Sequence, residues 1–326
     1  MSASRNGSVT RRGTEMRSYY GRPVIKEPVW TWEIPVYFFT GGLGGASSVL
    51  SLAAKVFGKP KLSRTALYIG AAADAVSPAL LVSDLGRPER FHHMLRVFKV
   101  TSPMNIGAWV LLVNGTASNL AALFELTGRL KRSKVAVETL SALFGPPLAT
   151  YTGVLVADTA VPAWHDGRHE LPWLFGASAA ASAGAAACLF LDPAEAGPAR
   201  RLAVAGVAAE GTAMHAMELR LGDIGEVYHR GTSGKLCWVA KGLAGAGATL
   251  LAKRGRDSRR ASVLGGALVC AGELCLRWAV FEAGFQSARD PKYTVGPQRE
   301  RAAREGTRVT TKPGETAASA PRGARH

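Results

Sequence analysis

Eight stretches of about 20 mostly apolar residues constrain this chain more than anything else in it. They begin near Trp32, Leu62, Asn105, Val135, Leu171, Arg201, Lys235 and Ala261. A helix rises about 1.5 Å per residue and satisfies its own backbone groups, so a segment of this length matches the roughly 30 Å hydrocarbon core of a bilayer. The expected fold is all-α and integral to the membrane, with eight transmembrane helices in two four-helix bundles. Pro162 to Glu170 is the expected connection, dividing a first bundle at 30–160 from a second at 161–288. Residues 1–29 and 289–326 are too polar and basic to build a core and read as mobile tails. No apolar region directly follows Arg11 and Arg12, so no cleavable leader is expected and the first span should remain as an anchor.

The net charge of +16 would point to nucleic acid in a soluble protein. Here the Lys and Arg residues lie in tails and loops beside apolar spans, where they anchor helix ends to anionic headgroups and set topology. Nucleic acid is therefore excluded as the partner, and lipid is included. These basic connections also hold the mean hydropathy down to +0.07. Sidedness stays open, because the loops opposite the tails carry more Lys and Arg than those beside them, whereas the tails are themselves basic.

The run Gly41 to Gly45 contains a GxG, but it lies within an apolar span rather than after a strand, so close helix packing is the expected role. Phe91, Leu95 and Phe98 recur at i, i+4, i+7 among Arg90, Arg96 and Lys99, a spacing that predicts a short amphipathic helix in the interface.

Redox ligands are scarce. Cys188, Cys237, Cys270 and Cys275 form no CxxC pair or cluster-binding run and read as small packing residues. Of the His residues only His215 lies well inside a span, whereas a bis-His haem needs two at matched depth. Neither haem nor an iron–sulfur cluster is expected in this chain, and no metal site.

Ionisable residues within a span are expensive and mark a pathway or site by default. Asp74 lies mid-span and is followed by Pro78; it could pass protons or be a structural acid hydrogen-bonded to Ser or Asn on a neighbouring helix, such as Asn114. Glu210, Met214, Met217 and Glu218 share a face of the sixth span, with His215 three residues before Glu218. Glu273 and Arg277 are an i, i+4 pair in the favourable sense for a salt bridge, with Lys241 a further partner. Such groups could conduct protons or form a neutralised internal cluster. Tyr37, one to two turns into the first span, and Tyr151, in the fourth, are placed to donate a hydrogen bond to a quinone carbonyl or to anchor at the interface as aromatic-belt residues.

Several motifs together resemble the NrfD/polysulfide reductase membrane-subunit family. They are Trp30-Thr31-Trp32-Glu33 leading into Gly41 to Gly45, Asp84-Leu85-Gly86-Arg87-Pro88-Glu89-Arg90-Phe91, and Thr101-Ser102-Pro103-Met104-Asn105-Ile106-Gly107-Ala108-Trp109. Tyr151-Thr152-Gly153-Val154-Leu155 followed by Val161-Pro162-Ala163-Trp164 completes the set. The resemblance runs from about Tyr19 to about Arg299. It implies a quinone-interacting anchor in the inner (cytoplasmic) membrane, a subunit of a respiratory oxidoreductase without turnover of its own. It also implies two partners, a ferredoxin-like iron–sulfur subunit and a molybdopterin catalytic subunit. Menaquinone or ubiquinone is the implied cofactor, with Tyr37, Tyr151 and Glu33 at its site. Asp74 carries over as an intramembrane acid. The expected proton route comprises Asp74, Asp158, Glu210, His215, Glu218, Glu273 and Arg277. The tail-side loops, including His92, His93, Trp164, His165 and Arg168, are the expected docking face.

Two other readings fit the same residues. A secondary transporter also shows two helical halves and charges near the midplane, although the second half offers no counterpart to Gly41 to Gly45 and Pro146-Pro147. A purely structural anchor would recruit a redox enzyme without touching quinone.

Overall fold

The computed structural model describes residues 25–295. The tails assigned to 1–29 and 289–326 lie mostly outside them. Among the described residues nine α-helices follow one another: α1 Glu33–Val56, α2 Pro60–Ser83, α3 Pro103–Thr127, α4 Lys131–Ala157, α5 Pro162–Asp166, α6 Leu171–Phe190, α7 Gly197–Leu221, α8 Gly231–Arg254 and α9 Arg259–Arg289. Two 3-10 segments, Pro88–Leu95 and Gly222–Tyr228, precede α3 and α8. Helix starts follow local chemistry. Pro60, Pro103 and Pro162 occupy first positions, where a missing N–H costs nothing. The side chains of Ser102 and Ser258 accept the Asn105 and Ala261 amides at 3.4 and 3.3 Å. Gly128, at φ 68°, ends α3 in the left-handed conformation.

The chain is an all-α, multi-pass membrane protein. Six helices (α1, α2, α3, α4, α6 and α9) are long and apolar enough to cross a bilayer. The sequence expectation was eight. Helices α7 and α8 have the length, at 25 and 24 residues, but fall short in apolarity because α7 carries Arg200, Arg201, Glu210, Glu218 and Arg220 and α8 carries Lys235, Lys241, Lys253 and Arg254.

The helices run up and down. One end, the tail end, gathers Trp30, Asp84, Trp164, Glu170, Arg220 and Arg289, joined by Thr31 to Asp84, Trp30 to Trp164 and Arg220 to Glu170 contacts. The other, loop end holds the turns at 57–59, 128–130, 191–196 and 255–258, linked by Lys61 to Glu195 at 3.2 Å and Arg200 to Gly255 O at 3.5 Å.

The core does not divide at Pro162 to Glu170, as two separate bundles would require. Helix α1 packs on α2, α4, α6 and α9, and α6 packs on α4, α7 and α9. One apolar cluster therefore joins Tyr37, Phe38 and Leu148 from the first half to Phe175, Met217 and Val280 from the second. Small residues permit the close approach: a Cβ on Gly45 would meet the Gly145 carbonyl oxygen, and one on Gly145 would meet that of Gly45. The Gly41 to Gly45 run thus serves helix packing, as its apolar setting suggested.

The connection before α3 differs from the amphipathic α-helix that its spacing predicts. It is a 3-10 segment with no buried residue, and Phe91 and Phe98 are exposed. Asn105 pins it to the first turn of α3, donating from Nδ2 to Met94 O and accepting from Lys99 N, both at 2.7 Å. That anchorage favours the tighter winding.

Candidate functional site

The structure brings Tyr37 and Tyr151 together, although 113 positions separate them in the sequence. Their ring centroids are 6.4 Å apart, tilted by 58°. Tyr37 is fully buried; Tyr151 is half-buried. Glycines make room for both rings. Gly41, one turn along α1, packs under Tyr37, and a Cβ on Gly107 of α3 would overlap the Tyr151 ring. The Tyr37 hydroxyl has no hydrogen-bond partner, which is unusual because a buried phenol normally finds an acceptor. Glu33 lies one turn toward the tail end on the same face of α1. It is half-buried and accepts from the Thr31 hydroxyl, which also donates to Asp84 Oδ1 at 2.7 Å.

Asp74 lies deeper, 1% exposed. Its Oδ2 accepts from Asn114 Nδ2 at 2.8 Å and from Ser118 Oγ at 2.6 Å, whereas Oδ1 has no hydrogen-bond partner and faces Gly44. The structural role considered for Asp74, bonding to Asn114, is therefore what the geometry shows. It leaves one oxygen free for a second role.

The remaining expected route residues do not form one line. Glu210, Glu273 and Arg277 converge, buried, between α7 and α9. The i, i+4 ion pair expected of Glu273 and Arg277 does not form. Arg277 instead donates from Nη2 to Phe175 O at 2.7 Å and stacks 3.9 Å over the Phe175 ring. A helix carbonyl and a ring on α6 are within reach, and they claim the guanidinium. His215 points to the exposed face of α7, away from that cluster. Glu218 pairs with Lys241 at 2.9 Å and approaches His229 at 3.7 Å, so the Lys241 ion pair is made with Glu218 rather than with Glu273. Asp158 is exposed at the end of α4.

At the tail end, His92, His93, His165 and Arg168 are exposed, but Trp164 is not. Its ring is fully buried against Trp30, Phe281 and Phe285, and its Nε1 donates to Val280 O at 2.7 Å. Trp164 holds α5 onto α9 and is removed from the docking face. The sequence reading also missed Glu138, a buried carboxylate on α4. It follows Lys131, Arg132 and Lys134, a setting that reads as solvated.

Among the described residues no group of three or more His, Cys, Asp or Glu is placed to hold a metal ion.

The family model for polysulfide reductase, NrfD_2, matches residues 16–289. The chain belongs to this polysulfide reductase family. No curated protein matches it. The match takes in all nine helices, including the tyrosine pair, Asp74 and the Glu210, Glu273, Arg277 cluster. Polysulfide reductase membrane subunits are parts of redox complexes, and such subunits generally work beside catalytic and iron–sulfur subunits.

Proposed function

We propose that this polysulfide reductase family member is the quinone-reactive membrane subunit of a respiratory oxidoreductase, exchanging electrons with an iron–sulfur partner docked at the tail end. The observation that carries the reading is the Tyr37 hydroxyl, buried and without a partner beside the Tyr151 ring. An unpaired buried donor costs about 1–3 kcal/mol, so its retention fits a ligand acceptor that completes it. A quinone supplies such an acceptor and carries two electrons and two protons between its oxidised and reduced forms.

Each residue has a distinct part. Tyr37 Oη donates to a carbonyl oxygen, and the half-buried Tyr151 ring forms the adjoining wall. Glu33, one turn nearer the tail end, borders the same site and is held there by the Thr31 hydroxyl, which also bonds Asp84. The packed core excludes water from the tyrosines. Electrons pass to a centre in the partner, and the molybdopterin chemistry belongs to a third subunit. In this reading α7 and α8 also cross the cytoplasmic membrane, with Glu210 buried and Lys241 neutralised by Glu218, which gives eight spans with both tails on one side.

The test is quinol-linked electron transfer in the complex purified with its partners. Tyr37→Phe and Tyr151→Phe together should lower turnover by about tenfold or more, the equivalent of 1.4 kcal/mol, without loss of assembly. Turnover unchanged in the double variant would leave only a structural anchor.

A further inference from the structure

Glu138 on α4 is 2% exposed and has no part in the tyrosine site. Lys55 Nζ meets one of its oxygens at 2.5 Å, and Ser51 Oγ donates to the other at 3.0 Å. Ser51 also donates to Ser63 O at 3.0 Å. Lys55 and Ser63 line a cavity of 830 Å³ at the loop end, whose wall also includes the charged Lys61, Arg64, Glu125 and Lys134 and the apolar Phe190 and Leu191. Those charges are engaged elsewhere: Arg64 and Lys134 with Glu125, and Lys61 with Glu195. Lys55 is thus the cation that faces Glu138, and the pair stands between the cavity and the protein interior.

Polar side chains continue inward from this pair. One helical turn along α1 and α4, about 5–6 Å, Ser141 Oγ donates to Ser48 Oγ at 2.8 Å and lies 3.2 Å from Asn114 Oδ1. Asn114 donates to Asp74. One turn along α2 from Asp74, Ser77 Oγ shares a 2.9 Å hydrogen bond with Thr40 Oγ1, and Thr40 bonds back to Tyr37 O. Three gaps, from Glu138 to Ser141, from Asp74 to Ser77 and from Thr40 to the Tyr37 hydroxyl, are left for water to bridge. A lone structural ion pair would not need such a file running on through helices otherwise rich in Ala, Leu and Gly.

We infer that this file is a proton path joining the tyrosine site to the loop end, with the Lys55–Glu138 pair as its mouth. The inference rests on the quinone reading. Oxidation of one quinol yields two electrons, taken singly by an iron–sulfur cluster of the partner, and two protons. Each proton passes from Asp74 by bridging water and the Ser141 and Ser48 hydroxyls to Glu138. Asn114 orients Asp74 and Ser141 rather than carrying the proton. The protonated Glu138 carboxyl releases Lys55 and then gives the proton to cavity water. Reduction of a quinone runs the same transfers backwards.

The test uses the complex in liposomes with the tails outward and a pH-sensitive dye trapped inside. Decylubiquinol, or menadiol, is the donor, and external ferricyanide accepts electrons from the partner. Two ferricyanides are reduced for each quinol oxidised. The path predicts two protons released inside per quinol. Glu138→Gln and Ser141→Ala should each cut internal acidification by about tenfold or more, with Glu138→Asp restoring much of it. Wild-type protons appearing outside would overturn the path without recourse to any variant. Loss of turnover in the double tyrosine variant, with Glu138→Gln and Ser141→Ala still acidifying the interior normally, would overturn the path and leave the quinone site standing. Full turnover in the double tyrosine variant would overturn both.

Discussion

At the scale of single residues, the decisive groups are buried polar atoms whose bonds are incomplete. Asp74 is fixed through one oxygen by Asn114 and Ser118, and its other oxygen faces Gly44. An Asn at this position can keep the oxygen toward those donors, so Asp74→Asn should assemble normally yet lower quinol-linked turnover by about tenfold or more, the range of a lost proton-transfer group. Full turnover in that variant would remove Asp74 from the route. Glu170 offers a pH test outside the spans. The Arg220 guanidinium, donating from Nε to Oε1 and from Nη2 to Oε2 at 2.5 Å, holds its carboxyl below the usual carboxylate range. A lowered folded value means the pair's support is present above the ordinary Glu range, about 4.3, and is lost as pH falls through the folded value. The thermal midpoint of Glu170→Gln should therefore lie below wild type at neutral pH and converge with it in acid. Asp74 and its Asn114 partner were legible in the sequence because an acid in an apolar span must find donors on adjacent helices. Arg277 was not. The i, i+4 rule describes solvated helix faces, and inside the protein a carbonyl on α6 competes for the guanidinium.

At the scale of elements, glycines and one tryptophan set how the helices meet. Gly45 and Gly145 let α1 and α4 approach backbone to backbone. Gly45→Ala should lower stability by about 1–3 kcal/mol, the usual penalty of overpacking, read as a reduced thermal midpoint in detergent. Trp164→Ala should cost more, about 3–5 kcal/mol, because it empties a fully enclosed site and removes the hydrogen bond to Val280 O as well. Six span positions were legible from apolar length alone. The 3-10 winding of Pro88–Leu95 was not, since it depends on Asn105 in the next helix. Nor was the burial of Trp164, which sits in a polar loop and is covered by α9.

At the scale of the whole molecule, a single core spans both halves, and the two tyrosines come from opposite ends of the first half to meet within it. An all-α membrane fold was readable in the sequence, but the seam of α1, α4, α6 and α9 was not, because small residues that pack helices look the same whichever neighbour they face. The proposed function requires this chain to hold a diffusible two-electron carrier and to borrow its electron acceptor from a neighbour. The most direct measurement is to purify it with and without its partner subunits and to assay both preparations for quinone by solvent extraction and for iron by metal analysis. The account expects quinone in both and iron only where the partners are present. Iron or a cytochrome spectrum in the chain alone, or no quinone in either preparation, would contradict it.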